Sequence, residues 1–451
     1  MKRFVNMKLT LIFSLLIVAV TGFSGCGKSE VAEVYPPIVF KAIPGDFSGG
    51  AIADNLTVTV VNKQNGKRVP GAVVFVHQGD PMELKAKVET DDQGVASFSG
   101  QGITGPVTVT VTSNTNVAYD TVSVVNINAS KLTIPIAPRK DPGKVKTALT
   151  FIGLDSGDEK LALTKNDTPY KEKVIKSGKL EQDPLTISTV NQPINFSAMA
   201  TDAGGNTSKF GFTVQPDGPI PVGTPAMVNM VRISQDNVKM CSGSMENPPA
   251  NLDEPTEGWD PYKRYIFQVY GDAGIAGNVV AGFANLAADY NYQAFIVNPA
   301  GLDNMKLEVS AMNRTDAWAE MSTAIKHFSF GTAPGNHDFK FMNVPKNLQI
   351  AKVDGQILPN LVWESAEGNL TEVEIFHGDY NYHWTIYMGG ENINKVVLPP
   401  LELGSPGAMI ADEIYRFRVT KSLVPGMDFN NTTMQAVQDN VTNIARSTLV
   451  K

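Results

Sequence analysis

Cysteine is almost absent from this chain, whose 451 residues include only two, Cys26 and Cys241. So few cysteines exclude a disulfide framework and a zinc site built on cysteine pairs. Charged residues are also scarce, at 18%, and the formal net charge is −7 without any basic cluster. Such a chain is not expected to bind nucleic acid, because binding to phosphates needs grouped Lys and Arg side chains.

The N-terminus lacks a hydrophobic run long enough to span a bilayer as a helix, which takes about 20 apolar residues. Its apolar stretch runs only from Leu9 to Val20 and is interrupted by Thr10 and Ser14. Three basic residues and no acid precede the stretch, and small residues follow it. This arrangement is typical of a secretory signal peptide.

The chain is instead rich in valine, threonine and asparagine, with 39 glycines and 28 prolines. This composition indicates a β-rich secreted protein and not a helical one. The chain is too long for one small core, so three or four modules are expected. Short strands with one buried face, such as Leu56 to Val60, recur along it. The predicted fold class is therefore mainly β, with serial β-sandwich modules.

The apolar stretch leads to the sequence TGFSGC, which ends at Cys26. Small residues directly before a cysteine resemble the lipobox of bacterial lipoprotein signal peptides, although Phe23 stands where that family more often has Leu. The resemblance implies that residues 1–25 are removed and that Cys26 becomes the lipidated first residue of the mature chain. An ordinary signal peptide, the alternative, would need no cysteine there. In that family, Asp directly after the lipidated cysteine retains the protein in the inner membrane. Residue 27 is Gly here, so the resemblance implies the outer membrane.

Processing at this site has three consequences. The removed segment carries three positive charges, so the formal net charge of the mature chain becomes −10. Cys241 is then the remaining thiol. A multiply acylated N-terminus holds a bilayer firmly, because each buried CH2 contributes about 0.8 kcal/mol.

Two stretches carry resemblances to known β-sandwich families. Residues 69–75, followed by the turn and strand at 90–98, resemble carboxypeptidase regulatory-like (transthyretin-like) and bacterial Ig-like modules. Gly94 is expected to take a positive φ there, with Asp91 or Asp92 bonding the turn's backbone. Residues 198–214 resemble the closing hairpin of bacterial Ig-like domains, with Gly204 to Asn206 expected to supply the positive φ of a tight turn.

The last two modules are less regular. Between 226 and 343, three strands and a helical turn or two over Ala317 to Ile325 are predicted, the latter from apolar spacings of 3 and 4. From 344 the pattern resembles a fibronectin type III-like sandwich with Trp363 in its core, and the tail from Asn430 is expected to add a short helix or an edge strand. The predicted organisation is a lipoprotein signal peptide (1–25), a tether (26–51), a carboxypeptidase regulatory-like or Ig-like sandwich (52–138), a bacterial Ig-like module (144–215), a β-rich module of unassigned type (226–343), and a fibronectin type III-like module with a C-terminal extension (344–451).

One short motif resembles part of an enzyme site. The sequence GNHD at residues 335–338 matches one motif of calcineurin-like metallophosphoesterases, in which the Asn and His contact two metals. Those enzymes also need an upstream Asp-x-His and a Gly-Asp-x-x-Asp, and here Ile275 stands where the second Asp is required. A polar turn between strands is the favoured interpretation.

Other polar groups favour structural interpretations too. His377 and His383 flank a predicted hairpin loop at a spacing that does not suit a zinc pair, so surface histidines are favoured over a metal contact with Asp379. Asp-rich turns at 91–92, 155–159 and 202–206 could bind calcium, which needs six to eight oxygen ligands, but none matches an EF-hand loop, so turn chemistry is the favoured interpretation. Cys241 has no histidine nearby in sequence and is interpreted as an inert thiol. No catalytic residue, metal site or cofactor is predicted.

Two aromatic residues are the candidate ligand-facing positions. Trp259 and Tyr262 lie in the loop sequence EGWDPY, and loops on rigid sandwiches often bind partners. The alternative is that these rings pack back onto their own module.

These patterns predict a non-catalytic binding or structural protein, lipid-anchored in the bacterial cell envelope as an outer membrane lipoprotein, with a protein or glycan partner. An alternative is an accessory carbohydrate-binding subunit of an extracytoplasmic hydrolase system, with 226–343 as its glycan-binding or degenerate catalytic unit. A metal-dependent phosphoesterase around His337 is a third hypothesis.

Overall fold

A computed structural model of the chain describes most residues from 45 onward. The described residues are 45–63, 66–79, 82–113, 119–138, 144–165, 168–190, 196–204, 206–213, 225–234, 237–246, 264–272, 278–286, 291–297, 305–314, 318–333, 335–352, 359–364, 367–377, 382–401 and 416–450. Over these residues the chain forms four sheets, one seven-residue helix and one 3-10 turn at Phe330–Thr332. The predicted fold class, mainly β with serial β-sandwiches, is confirmed.

The first module is a sandwich of two four-stranded layers. Its strands are β1 (Asp46–Ser48), β2 (Ala53–Asn62), β3 (Val73–Gln78), β4 (Glu83–Glu89), β5 (Val95–Thr104), β6 (Val107–Thr112), β7 (Thr121–Ile127) and β8 (Lys131–Ile136). One layer has the order β1-β8-β2-β5, and the other, β7-β6-β3-β4, is the end of a larger sheet. As the alternation predicts, Leu56, Val58 and Val60 are buried between the layers.

The turn before β5 forms as expected from its residues. Gly94 has a φ of 68°, and the Asp91 side chain accepts hydrogen bonds from the backbone N–H groups of Gln93 and Val95, both at 2.9 Å. In the hairpin at 202–206, Gly205 lies outside the described residues, and neither Gly204 nor Asn206 takes a positive φ. The Asp202 carboxylate closes the turn by accepting from the backbone N–H of Gly204 and of Asn206.

The second module is built on one eight-stranded sheet. Its strands are β9 (Lys144–Ile152), β10 (Asp158–Lys165), β11 (Thr168–Lys176), β12 (Lys179–Leu180), β13 (Leu185–Val190), β14 (Phe196–Asp202), β15 (Thr207–Phe212) and β16 (Ala226–Arg232). The sheet order is β12-β11-β10-β14-β15-β16-β9-β13. Because β16 pairs with both β15 and β9, the strand at 226–232 belongs to this sheet and not to the module predicted to begin at 226.

The third module contains β17 (Val238–Glu246), β18 (Arg264–Asp272), β19 (Asn278–Leu286), β20 (Asn291–Val297), β21 (Met305–Arg314), β22 (Trp318–Phe328) and β23 (Phe339–Lys340). The helical turns predicted within 317–325 are wrong, because this stretch is β22. Met321 and Ile325 are both buried, and their spacing of four fits one face of a strand as well as one face of a helix.

The last module contains β24 (Lys346–Lys352), β25 (Pro359–Glu364), β26 (Leu370–His377), β27 (Tyr382–Gly389), β28 (Lys395–Val396), β29 (Arg416–Leu423), helix α1 (Met434–Asn440) and β30 (Asn443–Val450). Strands β24, β25 and β28 form a small sheet that covers one face of β26, β27 and β29. Trp363 lies in this core, as predicted, with 4% of its surface exposed.

A single 15-stranded sheet continues through three of these modules. Its order is β23-β17-β20-β19-β18-β21-β22-β30-β29-β26-β27-β7-β6-β3-β4. Strand β7 of the first module pairs in parallel with β27 of the last, with Trp384 opposite Thr121. The tail forms α1, the short helix that was one of its two predicted forms, and then β30, which lies between β22 and β29 as a central strand and not at an edge. The first and last modules therefore form one body.

Candidate functional site

Three residues singled out from the sequence lie outside the described residues. These are Cys26, Trp259 and Tyr262, and their roles remain predictions. Of the remaining tryptophans, Trp363 and Trp384 are core residues, and Trp363 Nε1 donates to the backbone oxygen of Ile393 at 3.1 Å. Neither ring is available for stacking on a sugar.

The GNHD segment lies along strand β17. The backbone N–H of His337 donates to the oxygen of Ser242, and Asp338 Oδ1 accepts from the backbone N–H and the hydroxyl of Ser244, at 2.8 and 2.9 Å. The His337 ring contacts Phe339 edge to face, with centroids 4.8 Å apart. These polar groups are engaged in fixing the turn. Within the described ranges, no group of three or more His, Cys, Asp and Glu side chains is placed to hold a metal ion.

Cys241 is fully buried on β17 in the third module. Its Sγ lies 3.5 Å from the Tyr292 hydroxyl, which itself donates to the oxygen of His337. Burial raises the pKa of the Cys241 thiol, and burial also raises that of Tyr292. A buried thiol with a raised pKa has little thiolate and is a poor nucleophile.

The acidic turn at 155–159 already contains a cation. Lys209 Nζ lies 2.7 Å from each of three oxygens, those of Gly153, Asp155 Oδ2 and Asp158 Oδ2. Asp158 also accepts from the hydroxyl of Ser208 at 2.7 Å. Burial alone would lower the pKa of Lys209, but the two carboxylates outweigh it and raise that pKa. The ammonium group thus occupies the position that a metal would take among these oxygens.

The densest ionic cluster lies where the first module meets the last. His383 Nδ1 is 3.0 Å from Asp120 Oδ2, and His383 Nε2 is 3.2 Å from Glu374 Oε1. The other oxygen of Glu374 accepts from Arg418 Nη1 at 3.0 Å, and Arg418 stacks over the Phe376 ring. Asp120 precedes β7, whereas the other residues lie on β26, β27 and β29. The histidine therefore bridges two modules.

The protonation state of this cluster follows from its geometry. Burial opposes a charged His383, but hydrogen bonds to Asp120 and Glu374 outweigh it and raise the pKa of His383 to about 9. Burial alone would raise the pKa of Glu374, yet the Arg418 charge and the His383 hydrogen bond hold it well below its usual range. A histidine that is charged at neutral pH cannot act as a general base, and here its two ring nitrogens hold the carboxylates of Asp120 and Glu374 together as a clamp.

A second acid lies beside the clamp on the same strand face. Glu372 has 6% of its surface exposed. Burial, and then repulsion from Glu374, raise the pKa of Glu372 to about 8, so it is largely protonated at neutral pH. Arg446, on the neighbouring β30, donates from Nε to Thr420 Oγ1 at 3.1 Å. The cluster therefore keeps one carboxylate charged beside its cations and leaves the other neutral.

Neutral contacts complete the junction. Trp384 Nε1 of the last module donates to Ser123 Oγ of the first at 2.9 Å. His77, on β3, is fully buried, and its Nε2 lies 3.0 Å from the oxygen of Pro400, which only accepts. His77 Nδ1 is buried without a hydrogen-bond partner among the described residues. Burial lowers the pKa of His77, so this histidine is neutral where His383 is charged.

The N-terminal strand is fixed to the C-terminal segment beside this junction. The backbone N–H of Phe47 donates to the oxygen of Thr432 at 2.8 Å, and that of Thr432 donates back at 3.1 Å. The rings of Phe47 and Phe429 meet edge to face at 5.4 Å. A surface groove of about 300 Å³ opens here between β1 and α1. It is lined by Asp46, Phe47, Ser48, Val424, Pro425, Gly426, Met427, Asp428, Asn431, Thr432, Thr433, Ala436 and Asn440.

Lys421 lies on the β26-β29 part of the large sheet, on the face opposite to that of Glu372 and Glu374. Lys421 is fully buried in the core that contains Trp363, and its Nζ donates to Thr371 Oγ1 at 2.8 Å and to the oxygen of Ile393 at 3.4 Å. No carboxylate pairs with it among the described residues. Burial lowers the pKa of Lys421 to about 8.

The sequence interpretation missed most of these residues. His383 was assigned to the surface as one of a pair with His377, but it is bound between Asp120 and Glu374. The local signal was that Glu372, Glu374 and Arg418 alternate with large apolar residues along their strands. The residues that pair with these charges lie far away in sequence, so the pairs could not be predicted.

No family model and no curated protein matches the chain. Among solved structures, the shaft pilin SpaA of Lactobacillus rhamnosus GG is similar at 6% identity, covering 41% of this chain and 100% of that one, with a TM-score of 0.15. Two B repeats of the collagen-binding protein of Staphylococcus aureus cover 84% and 97% at 10% identity and a TM-score of 0.14. The TIE protein of Bacillus anthracis covers 64% and 49% at 11% identity and a TM-score of 0.16. Similarity this weak carries no argument about function.

In the part of the chain from 45 onward that the structure describes, no helix has the length and apolarity needed to cross a bilayer.

Proposed function

We propose that this chain is a lipid-anchored bacterial envelope protein whose β-sandwich modules act as a non-catalytic structural or binding unit. The anchor is the thiol of Cys26, at the end of the lipobox-like sequence, and residues 26–44 link it to the folded body. The modules provide rigid surfaces, and the polar groups of the described clusters are engaged in hydrogen bonds within the protein.

One observation carries this proposal. Strand β1 lies within the stretch predicted as a tether (26–51), but it is paired with β8 on one side and bonded to Thr432 on the other. Through the contact with Thr432 and the β7–β27 pairing, strand β1 is part of the body formed by the first and last modules. A protein that works while held at its N-terminus needs this kind of attachment, because a loosely attached first strand would separate before the rest.

The anchor is tested by detergent partitioning of the full-length protein expressed in a bacterial host. The wild type is expected in the detergent phase and Cys26→Ala in the aqueous phase, since acyl chains drive the partitioning. Ser24→Ala is the matched control, because it changes a small residue of the same motif and leaves the thiol in place. A Cys26→Ala protein that still enters the detergent phase contradicts the anchor.

The partner class is proposed only as protein or glycan. Trp259 and Tyr262 are the proposed ligand-facing residues, since a loop with two aromatic rings can stack on a sugar or insert into a protein surface. Glycan-array binding by the mature protein that Trp259→Ala abolishes favours the accessory carbohydrate-binding role. Binding that is unchanged in this variant removes the loop from the proposal.

A further inference from the structure

Strand β13 is an edge strand without the usual protection against pairing. It ends the eight-stranded sheet, and β9 is its partner strand among the described residues. Its six residues, LTISTV, contain no charge, proline or glycine. Edge strands normally carry such residues, or are very short or bulged, because a bare edge offers its N–H and C=O groups to another strand.

The other edge strands of the described sheets are protected. Strand β4 carries four charges in seven residues. Strand β5 contains glycines with positive φ and a register shift against β2, and β24 has a lysine at each end and a register shift against β25. Strands β12, β23 and β28 have two residues each, and β1 is bonded to Thr432. Among the edge strands of the described residues, β13 is thus the exception.

The outer face of the same sheet carries exposed apolar side chains as well as the exposed Lys146 of β9. Ile152 on β9 and Met227 and Val231 on β16 are 47%, 63% and 57% exposed, and these two strands are the nearest and next-nearest neighbours of β13. Thr186, on β13 itself, is exposed and uncharged. An uncharged edge beside exposed apolar side chains is typical of a protein interface.

We propose that β13 is a self-association site, where two copies of the chain pair antiparallel through this strand. A two-fold axis perpendicular to the sheet and passing beside Ile187 keeps the buried faces of both sheets on the same side. Leu185 then lies opposite residue 189 of the second copy, and Thr186 lies opposite residue 188.

Charge favours this arrangement. The exposed Asp183 precedes β13, whereas the exposed Lys146 of β9 lies opposite Ser188, toward the other end of the strand. In an antiparallel pair, the acidic end of each copy meets the basic end of the other. The pairing joins two eight-stranded sheets into one, and the strand itself places no charge in the seam. A second copy is therefore the occupant that the edge fits.

The test is sedimentation of the whole mature chain, made without lipid by Cys26→Ala, over about 1 to 100 µM. A concentration-dependent dimer is expected, and Thr186→Lys should raise its dissociation constant about tenfold or more, because the two added lysines lie diagonally across the axis on the same face, about 7–8 Å apart. Thr104→Lys is the matched control, since it places the same charge on an exposed position of the edge strand β5 and should leave the dimer unchanged.

Hydrogen exchange provides a second readout. The amides of residues 185–190 should exchange more slowly at high protein concentration than at low, and Thr186→Lys should remove the difference. A wild type that stays monomeric throughout the range overturns the proposal, as does a dimer that both lysine variants weaken equally. Binding of this edge to an added peptide by a monomeric wild type overturns it too. None of these outcomes bears on the lipid anchor, which is absent from the sample.

Discussion

Replacing Lys421 by Met should make the protein more stable at neutral pH. Burial lowers the pKa of this lysine from 10.5 to about 8, which corresponds to a cost of about 3 kcal/mol for keeping it charged in the folded protein. Methionine has a similar unbranched stem and no charge, but it loses the hydrogen bond to Thr371, which contributes about 1 kcal/mol. The net gain should be about 2 kcal/mol, or roughly 4–8 °C in the thermal midpoint of a unit of this size.

The pH dependence distinguishes this mechanism from better packing. Between pH 8 and 10.5 the folded state has lost the proton of Lys421 while the unfolded state keeps it, so the wild type gains stability as pH rises through this window. The advantage of Lys421→Met should therefore shrink and vanish between pH 7 and pH 10.5. Taking the difference between the two proteins removes the contribution of all other titrating groups.

Thermal unfolding of the whole mature chain at pH 7, 8.5 and 10 is the assay. Lys395→Met, at an exposed position on β28, is the control and should change the midpoint little. A Lys421→Met protein that is less stable than the wild type at pH 7 refutes the reasoning. So does a gain that is the same at pH 7 and pH 10.

Three further predictions concern the junction and the second module. Asp120→Asn should lower the pKa of His383 from about 9, which an NMR titration of the histidine measures. The variant should also lose less stability than the wild type as pH rises through about 9. An unchanged titration contradicts the clamp. His77→Gln keeps a donor for Pro400 but cannot be protonated. The wild type should lose stability as pH falls below 6.5, because His77 has a lowered pKa in the folded state, and the variant should lose less. Thermal midpoints at pH 7 and 5 measure this, and equal losses contradict it. Lys209→Met leaves the buried Asp158 without its cation and should cost roughly 3–5 kcal/mol in urea unfolding of the second module, whereas the exposed Lys176→Met should cost little.

Local patterns predicted the strands well because each depends on near neighbours. The alternation of Leu56, Val58 and Val60 indicates one buried face, and the turn at Asp91 and Gly94 depends on one side chain and one positive φ. The burial of Trp363 followed in the same way. These features need no knowledge of which strand lies next to which.

The pairing of distant strands could not be predicted in this way. Asp120 and His383 are 263 residues apart, and nothing in either local sequence identifies the other. The failure at residues 317–325 has a related cause. An apolar spacing of four suits both a helix and a strand, and pairing with β21 and β30 on either side selected the strand. Tertiary pairing also placed the tail in the middle of a sheet.

The proposed anchoring depends most directly on the chemistry of Cys26. Mass spectrometry of the mature protein, purified from bacterial membranes, should show a chain that begins at Cys26 and carries acyl chains on its first residue. An N-terminus that begins elsewhere, or a Cys26 without lipid, contradicts the proposed anchoring of these modules.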